Sequence, residues 1–488
     1  MNLYLIGHDY RYAVEQMLLT LFPDERPVYP DGRPTGDRVE LRLMSGAKVT
    51  TATCVLVYQG RTANGRTSVP NSELADPAEK DRRLQGAVKR AFYRAAMGIG
   101  LPHRPWGMLT GVRPGKLMTP LLAQGMDDTQ AMRYFERHYD VAPARAALVV
   151  RTAHATLRAM DALGEKDVCL YVGIPFCPTR CAYCSFVSQS VEKSMALVPE
   201  FLQALAREIA ATAEAVQRAG LRIVSLYIGG GTPTTLSARQ LDALCTQLEA
   251  AFDLSALREF TVEAGRPDTI TADKLQVLRA HRVDRISVNP QTLDDRVLET
   301  IGRRHTAQDI YDALRLVRAT GGFAVNMDLI AGLPGDTPDG FRATLEQVLA
   351  LAPENVTVHT LSRKRGADLM TQDAPIPDGA AVGEMLDFAG SALDAAGYAP
   401  YYLYRQKFMS GGFENVGWTR PGQENLYNIC IMEELCSILA MGGGASTKLV
   451  RPNGGKLERH IDPKYPTEYI ANIDRICAAK AELEAFFQ

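Results

Sequence analysis

Three closely spaced cysteines are the residues of this chain with the clearest chemical potential. Cys177, Cys181 and Cys184 are separated by three residues and then by two, directly after an apolar stretch. Thiolates on one tight loop can hold three irons of a cubic [4Fe–4S] cluster. The fourth iron then has no protein ligand, so it can bind a small molecule and pass an electron to it. The spacing therefore predicts a centre that carries out chemistry.

Two other interpretations of these cysteines remain open. Structural zinc requires four protein ligands, but Cys169, the nearest further cysteine, falls within the preceding strand, where a buried apolar role is expected. Inert reduced thiols are the second alternative. Disulfides fit poorly because nine cysteines is an odd number. The other cysteines are predicted to be ordinary interior thiols, namely Cys54, Cys245, Cys430, Cys436 and Cys477.

A glycine-rich segment, Gly229–Thr234, follows a second apolar strand. Glycines at such a position let a ligand approach the backbone, whose N–H and C=O groups can bind it. A phosphate-binding loop is the alternative, but the Gly-Lys-Ser/Thr ending of that motif is absent from the sequence. The amino and carboxylate groups of a methionine-like ligand beside the cluster would suit this backbone.

Bulk properties exclude several classes of protein. The 488 residues predict more than one domain, and 46% hydrophobic residues argue against disorder. A net charge of −2 gives no basic field that would attract nucleic acid. The first residues do not have the pattern of a signal peptide, and no apolar run reaches membrane-spanning length. A cytoplasmic protein with neither a nucleic-acid partner nor a membrane span is expected.

Hydrophobic periodicity divides the chain into three parts, the first of which is an N-terminal α+β and helical domain of unknown role at residues 1–162. Its turns are predicted at Ser45-Gly46 and Asn64-Gly65. Strands are predicted at 3–7, 39–44 and 48–58, and helices at 12–22, 76–98 and 127–162.

The middle part, residues 163–377, alternates strands with helices, which indicates parallel strands and right-handed crossovers. Six strands are predicted, at 168–174, 223–229, 259–264, 284–289, 324–330 and 355–361. A complete barrel of this type has eight strands. Six therefore predict an α/β fold with an open, partial (β/α)6 barrel. The cysteines and Gly229–Gly231 follow carboxyl ends of strands, where the functional loops of such folds lie.

The last part, residues 378–488, is rich in aromatic residues such as Tyr402, Tyr404 and Tyr427. It is predicted to be an α+β and helical domain that covers the substrate. An ordinary aromatic core is the alternative for any single ring.

Taken together, these motifs resemble the oxygen-independent coproporphyrinogen III oxidases (coproporphyrinogen dehydrogenases) of the radical S-adenosylmethionine (SAM) proteins. The sequence is most similar to the long, HemZ-like branch that has an extra N-terminal domain. The shared motifs lie between about residues 167 and 361 and comprise the cysteine loop, Gly229–Thr234, Val262-Glu263, Ile286–Thr292, Arg303 and Asn326–Gly335.

The resemblance implies roles for individual residues. Cys177, Cys181 and Cys184 hold the cluster, and Glu263 binds the ribose of SAM. Other residues implied to contact SAM are Tyr171, Tyr183, Gly230, Gly231 and Thr232. A pocket that accepts a second SAM in the oxidases corresponds to Gln291, Arg303 and Asp328, and Ser362 and Ser446 fall at positions that touch these ligands. Without the family context, cap, turn or surface roles would be favoured for the charged members, and the shared motifs reverse that preference.

The resemblance also implies a reaction in haem biosynthesis. Reductive cleavage of SAM gives a radical that takes a hydrogen from a propionate side chain of coproporphyrinogen III. Loss of carbon dioxide and one electron leaves a vinyl group, and two rounds yield protoporphyrinogen IX. The implied partners are a tetrapyrrole and an electron donor such as flavodoxin or ferredoxin. Arg303-Arg304 and Arg363-Lys364-Arg365 are candidate propionate ligands, with a solvated charge run as the alternative.

The sequence departs from the oxidase pattern at three places. Phe186 stands where the oxidases have a fourth cysteine, Gly173 stands where they have a histidine, and Tyr427-Asn428 lies near the position of a Phe-Gln pair. These departures keep two alternatives open besides the oxidase. One is a haem-binding chaperone of the same family, and the other is a different radical SAM tetrapyrrole enzyme, either a methyltransferase or a ring opener.

Overall fold

The computed structural model describes residues 1–32, 34–184, 189–190, 194–362, 375–406, 410–451 and 457–487. Its contacts divide the chain into two compact units, Met1–Val112 with Met126–Leu148, and Arg113–Gly125 with Val149–Gln488. The division of the sequence into 1–162, 163–377 and 378–488 stays a prediction.

The first unit contains a four-stranded sheet in the order β1-β2-β3-β4, in which β1 and β2 are parallel and the other pairs antiparallel. Helices α1 and α2 cover one face, with Met17, Leu18, Val88 and Phe92 in the core. In chain order the elements up to residue 162 are β1 (Asn2–Ile6), α1 (Arg11–Leu21), β2 (Arg38–Ser45), β3 (Val49–Tyr58), β4 (Arg61–Pro70), α2 (Pro77–Gly98), α3 (Gly115–Ala123), α4 (Asp128–Tyr139) and α5 (Pro143–Ala162).

The turn predicted at Asn64-Gly65 is wrong, because both residues lie inside β4. The chain reverses instead at Gln59 and Gly60, which have φ values of 48° and 75°. A Cβ atom at Gly65 would overlap the backbone of Ala91 in α2. This glycine therefore allows a helix to pack closely on the sheet, and the sequence alone does not distinguish that role from a turn.

The second unit is built on one large sheet. It also includes α3 and most of α5. Its elements from residue 167 to residue 360 are β5 (Asp167–Ile174), β6 (Phe176–Cys177), β7 (Gln189–Ser190), α6 (Val198–Arg218), β8 (Arg222–Gly230), α7 (Ala238–Ala251), β9 (Glu259–Glu263), α8 (Ala272–Ala280), β10 (Arg285–Ser287), α9 (Asp295–Thr300), α10 (Ala307–Thr320), β11 (Ala324–Ala331), α11 (Pro338–Ala350) and β12 (Asn355–Thr360). The later elements are α12 (Gly379–Ala395), β13 (Ala399–Tyr404), β14 (Asn415–Thr419), α13 (Leu426–Glu433), β15 (Ser437–Gly442), β16 (Ser446–Leu449), β17 (Glu458–Ile461), α14 (Pro466–Ala471), α15 (Ile473–Ala481) and α16 (Leu483–Phe487).

The six predicted parallel strands are present and adjacent, in the order β5-β8-β9-β10-β11-β12. Most of their residues are buried on both faces, which explains why they appear in the sequence as continuous apolar runs. Helices return the chain between them. Ser237 and Thr306 begin two of these helices with capping boxes. The partial-barrel fold class is thereby confirmed.

The last part of the chain continues the same sheet at both of its sides. Beyond β12, the strands β14 and β13 pair in antiparallel fashion, while β15 pairs with β5 in parallel and leads on to β16 and β17. The resulting order, β13-β14-β12-β11-β10-β9-β8-β5-β15-β16-β17, is open at its ends. The strand that precedes the cysteine loop is therefore paired along both edges.

A buried polar cluster joins the end of β15 to the C-terminal helices. Glu208 of α6 accepts hydrogen bonds from the Gly442 amide at 2.8 Å and from the Tyr469 hydroxyl. Its other oxygen lies 2.9 Å from the Lys480 ammonium. Burying a carboxylate is tolerated when its hydrogen bonds are satisfied in this way. Among the described helices, none combines the length and apolar character needed to cross a membrane.

Candidate functional site

All three cysteines of the loop line one cavity of about 410 Å³ at the carboxyl ends of the parallel strands. Cys181 is 9% exposed, while Cys177 and Cys184 are half-buried. The Cys177 sulfur lies 3.4 Å from the Thr232 hydroxyl, and the Arg266 guanidinium donates to the Cys181 sulfur at 3.5 Å. The three loop cysteines therefore share one cavity, with a guanidinium group beside one of their sulfurs.

The glycine-rich segment at the end of β8 packs directly on the cysteine loop. The Gly231 amide donates to the Ile174 carbonyl at 2.8 Å, and the Thr232 amide donates to the Phe176 carbonyl at 2.7 Å. A Cβ atom at Gly231 would lie 2.5 Å from the Phe176 oxygen and 3.0 Å from the Cys177 sulfur. Gly230 has a φ of +115°, which side-chain-bearing residues rarely adopt. Glycine is therefore required here by the close approach of two backbones.

Glu263, the last residue of β9, lies next to this segment. Its carboxylate accepts a hydrogen bond of 2.6 Å from the Tyr227 hydroxyl. Burial raises the pKa of Glu263 to about 7, although the bonds from Tyr227 and the Gly230 backbone act in the opposite direction. A carboxylate held in this way can accept further hydrogen bonds from ligand hydroxyl groups.

Three tyrosine rings stack behind Glu263. The ring of Tyr227 lies 4.4 Å from that of Tyr427 and 6.1 Å from that of Tyr171, between ring centroids. Tyr227 lines the cavity, whereas Tyr171 is not among its lining residues. Within the described part of the chain, Tyr171 therefore contributes to the site through Tyr227.

Arg303 crosses the middle of the site. Its guanidinium donates to the Asn289 carbonyl at 2.7 Å and to the Tyr183 hydroxyl at 3.2 Å. Burial alone would lower the pKa of Arg303, but the neighbouring Tyr183 and Cys181 raise it above its usual value. The side chain is 8% exposed, so the site holds a permanent positive charge near the loop cysteines.

Asp328 of β11 anchors the far side of the cavity. It accepts hydrogen bonds of 2.8 Å from both the Asn289 and Asn326 amides, and the His359 ring lies 3.8 Å away. Burial would raise the pKa of Asp328, but His359 and Asn326 outweigh it and hold that pKa below its ordinary value. Gln291, with a φ of 66°, bridges to β11 through its backbone.

The structure brings most of the predicted site residues into this single cavity. The lining includes Cys177, Cys181, Cys184, Tyr183, Gly230, Gly231, Thr232, Glu263, Gln291, Arg303, Asp328 and Ser362. Ser446 begins β16, opposite Ile461, and is not part of the lining. Arg304 is exposed and also outside it. Phe186 and Arg363-Lys364-Arg365 lie outside the described residues. The ligand roles of these residues stay predictions.

Several lining residues were not identified from the sequence, among them Tyr227, Arg266, Asn289, His359 and Asn326. Two of them, Asn289 and His359, stand within two residues of the carboxyl end of a parallel strand. Their alternation with buried neighbours was the available signal, because side chains two apart in a strand share a face. Tyr404 was noted only as one of many aromatic residues, and β13 carries it into the lining.

The residues present fit a cluster with a bound SAM. Three thiols line one wall of the cavity, and no fourth cysteine is among the described lining residues. Three thiol ligands suit a [4Fe–4S] cluster with one open iron better than a structural zinc site, which requires four protein ligands. Bare glycine backbone and a buried carboxylate stand beside them. Cys177, Cys181 and Cys184 would hold the cluster, and Gly230–Thr232 with Glu263 would hold SAM.

Comparisons with known proteins agree with this geometry. The sequence profile of the Radical SAM superfamily matches residues 171–348. The chain is 40% identical over 390 residues to the oxygen-independent coproporphyrinogen-III oxidase-like protein HemZ of Bacillus subtilis, covering 78% of each chain. It is 29% identical over 326 residues to the haem chaperone HemW of Lactococcus lactis, covering 66% of this chain and 80% of that protein. The solved structure of Escherichia coli coproporphyrinogen III oxidase (HemN), a radical SAM enzyme, superposes with a TM-score of 0.51 at 25% identity, covering 66% of this chain and 72% of that one.

Fold, cysteine loop and profile together define a radical SAM protein. A [4Fe–4S] cluster and SAM are the cofactors of this superfamily, as the cysteine spacing predicted. Within it, the chain belongs to the family of oxygen-independent coproporphyrinogen-III oxidase-like proteins.

Proposed function

We propose that this protein oxidatively decarboxylates propionate side chains of coproporphyrinogen III to vinyl groups, giving protoporphyrinogen IX in haem biosynthesis. The observation that carries the proposal is one continuous cavity. It joins the three loop cysteines and Glu263 on one side to Asp328, His359 and Tyr404 on the other. Substrate and cofactor can therefore meet in one cavity.

The lining of the cavity suits a large, flat substrate with carboxylates at its rim. Tyr402 and Tyr404 supply aromatic surface, and such rings combine apolar contact with a polar tip. Arg266 and Arg303 supply buried positive charge on the wall of the cysteines. Guanidinium groups are the preferred partners of carboxylates in proteins.

The chain's own residues provide position and electrostatics. In the proposal, the Glu263 carboxylate, oriented by Tyr227, accepts hydrogen bonds from the ribose hydroxyls of SAM. The backbone of Gly230 and Gly231 receives its methionine portion. When bound, the cluster and SAM supply one-electron chemistry that removes a hydrogen atom from an unactivated carbon. Each propionate must then lose carbon dioxide and pass one further electron to a separate one-electron acceptor.

An anaerobic assay tests the proposal. Protein with a reconstituted cluster is mixed with SAM, a reductant and coproporphyrinogen III, and the product mass is followed. We expect the loss of two carboxyl groups together with cleavage of SAM. SAM cleavage with unchanged porphyrinogen would sink the substrate assignment and leave the class intact. Cys245→Ser, which removes a buried thiol of α7 outside the cavity, is the matched control and should retain activity.

A specific observation favours a haem-binding chaperone as the second candidate. His359 lines the cavity, and 28% of its side chain is exposed. Its Nε2 atom lies 3.8 Å from the Asp328 carboxylate, and its Nδ1 atom lies 3.5 Å from the Tyr404 hydroxyl. A histidine so placed is a possible axial ligand of haem iron. Titration with haem distinguishes the two candidates. The chaperone would be favoured if the Soret band shifts with the parent protein but not with His359→Ala, and if the mass assay shows no decarboxylation.

The proposal also includes a cytoplasmic location and a small electron-transfer protein as donor. Flavodoxin and ferredoxin are the two donors to compare in the same assay. We expect either one to replace a chemical reductant, and turnover only with the chemical reductant would contradict this part of the proposal.

A further inference from the structure

A second group of three cysteines lies away from the cavity of the loop cysteines. The sulfur atoms of Cys169, Cys430 and Cys436 all lie within 4.8 Å of one another, and the Cys169–Cys436 separation is 3.6 Å. Cys169 and Cys430 are 0% exposed and Cys436 is 8% exposed. The expectation that these are ordinary interior thiols misses their convergence.

Three separate elements bring these thiols together. Cys169 lies in β5, Cys430 in α13, and Cys436 directly before β15, which pairs with β5. The buried Glu259 fixes α13 by accepting hydrogen bonds of 2.8 and 2.7 Å from the amides of Leu426 and Tyr427. The arrangement is thus set by the fold of the whole second unit.

The spacing of the sulfur atoms matches that of ligands around one metal ion. With metal–sulfur bonds of about 2.3 Å, neighbouring thiolates are roughly 3.8 Å apart around a tetrahedral centre. The observed separations, 3.6 Å for one pair and at most 4.8 Å for the others, need only small adjustment to reach this value. Among the described residues, no His, Asp or Glu completes the group within the same distance.

We propose that Cys169, Cys430 and Cys436 form a binding site for a soft, thiophilic cation of the Cu(I) type. A ligand set of sulfur alone favours soft ions. Zinc is less suitable because a structural zinc site requires a fourth ligand. Val224 and Ile438 beside the thiols are apolar, and no fourth His, Cys, Asp or Glu joins the group within 4.8 Å among the residues that the structure describes. Binding converts thiols to thiolates and releases their protons to solvent.

A second cavity provides a route to this site. It has a volume of about 500 Å³ and is lined by Cys436. Four carboxylates also line it, Glu165, Asp167, Glu433 and Glu434, against the two cations Lys116 and Arg451. Asp167 and Glu434 are already paired with Arg222 and Arg113, so the cavity contributes access rather than a strong field for cations. Cys436 is the one member of the three described thiols that lines it.

The site lies directly beneath the tyrosine stack described above. Cys169 and Tyr171 are two residues apart in β5 and share a face, and Cys430 is three residues from Tyr427 on α13. Tyr427 in turn stacks on Tyr227, which holds Glu263. A metal ion here would stiffen the support of the carboxylate proposed to bind SAM.

The test uses full-length protein with its [4Fe–4S] cluster reconstituted, so that the loop cysteines are occupied. Cu(I) is titrated anaerobically against a chromophoric chelator, and copper and iron are counted after desalting. We expect one copper per chain with unchanged iron, and three sulfur neighbours in the copper X-ray absorption spectrum. Cys436→Ser should lose this copper, whereas the matched variant Cys245→Ser, also a buried thiol, should keep it.

Two results would overturn the proposal. One is a parent protein that retains no copper, or that gains copper only by losing iron. The other is a parent mass two hydrogens below the reduced value under the same anaerobic conditions, which would show a Cys169–Cys436 disulfide in place of a metal site. The absorption spectrum of the parent decides the question even if a variant fails to fold. None of these readouts depends on the proposed tetrapyrrole reaction.

Discussion

The two cysteine triads of this protein use the same side chain under opposite conditions. The loop triad, Cys177, Cys181 and Cys184, is contiguous in sequence and lines an open cavity with Arg266 beside it. The interior triad, Cys169, Cys430 and Cys436, is assembled from three elements within an apolar cluster. The two triads have the same number of thiols. They differ in whether a ligand can reach the sulfurs and in whether a charged side chain lies beside them.

The largest expected difference between the two triads follows from replacing one cysteine of each with alanine. Cys181→Ala should abolish cluster absorbance and SAM cleavage, because two thiolates cannot hold the cluster. Cys436→Ala should retain both. Iron content and 5′-deoxyadenosine formation are the measurements. Equal loss of iron in the two variants would show that the interior triad also serves the cluster.

A large effect is next expected from the backbone that supports the loop triad. Gly231→Ala would place a methyl group 2.5 Å from the Phe176 oxygen and 3.0 Å from the Cys177 sulfur. Overpacking of this kind costs about 1–3 kcal/mol, so we expect loss of most of the iron per chain. Gly86→Ala in α2 is the matched control, since its Cβ would meet nothing within 4 Å. That change should stabilise the helix by about 0.5–1 kcal/mol without altering iron content.

Glu263 gives a prediction of intermediate size. Hydrogen bonds to a charged group contribute about 1.5–3 kcal/mol, so Glu263→Gln should weaken SAM binding by about 10- to 100-fold. Because the pKa of Glu263 is raised to about 7, its accepting carboxylate form is lost as the pH falls through 7. The dissociation constant of SAM in the parent should therefore rise toward pH 6, by at most about tenfold per pH unit. Calorimetry on the glutamine variant should show no such dependence.

The smallest effect concerns stability without metal. Cys430→Ser in copper-free protein places a hydroxyl among Val224, Tyr427 and Ile438. An unsatisfied buried hydroxyl costs about 1–3 kcal/mol. The midpoint temperature of thermal unfolding should therefore be lower than that of the parent, while the iron content stays at the parent value. A melting curve identical to that of the parent would indicate that the pocket around Cys430 is hydrated.

The sequence allowed the six parallel strands to be predicted because each is a short segment with buried apolar residues between helical stretches, and four of the six end in a polar or glycine residue. Even the strand predicted at 284–289 is present as Arg285–Ser287. The additions at the two sides of the sheet, β14 and β15, could not be predicted. Their partners β12 and β5 lie far away in the chain, and such pairing leaves no local pattern.

The same limit applies within the site. The cysteine loop and Gly230–Thr232 were identified because their spacing is local. His359 and Tyr404 converge only through the folded sheet, and so do the members of the interior triad. The ring of Tyr171 stacks behind that of Tyr227 and outside the cavity lining, and the ligand contact that its place in a motif suggested stays a prediction.

The parallel pairing of β15 with β5 has a consequence for how the protein matures. During synthesis, β5 and its loop leave the ribosome long before residues 437–442. Until those residues dock, one edge of β5 presents unpaired amide and carbonyl groups, and the nascent chain lacks the neighbour that holds the base of the loop in place. Iron delivery is therefore expected to follow translation of β15 rather than accompany synthesis of the loop.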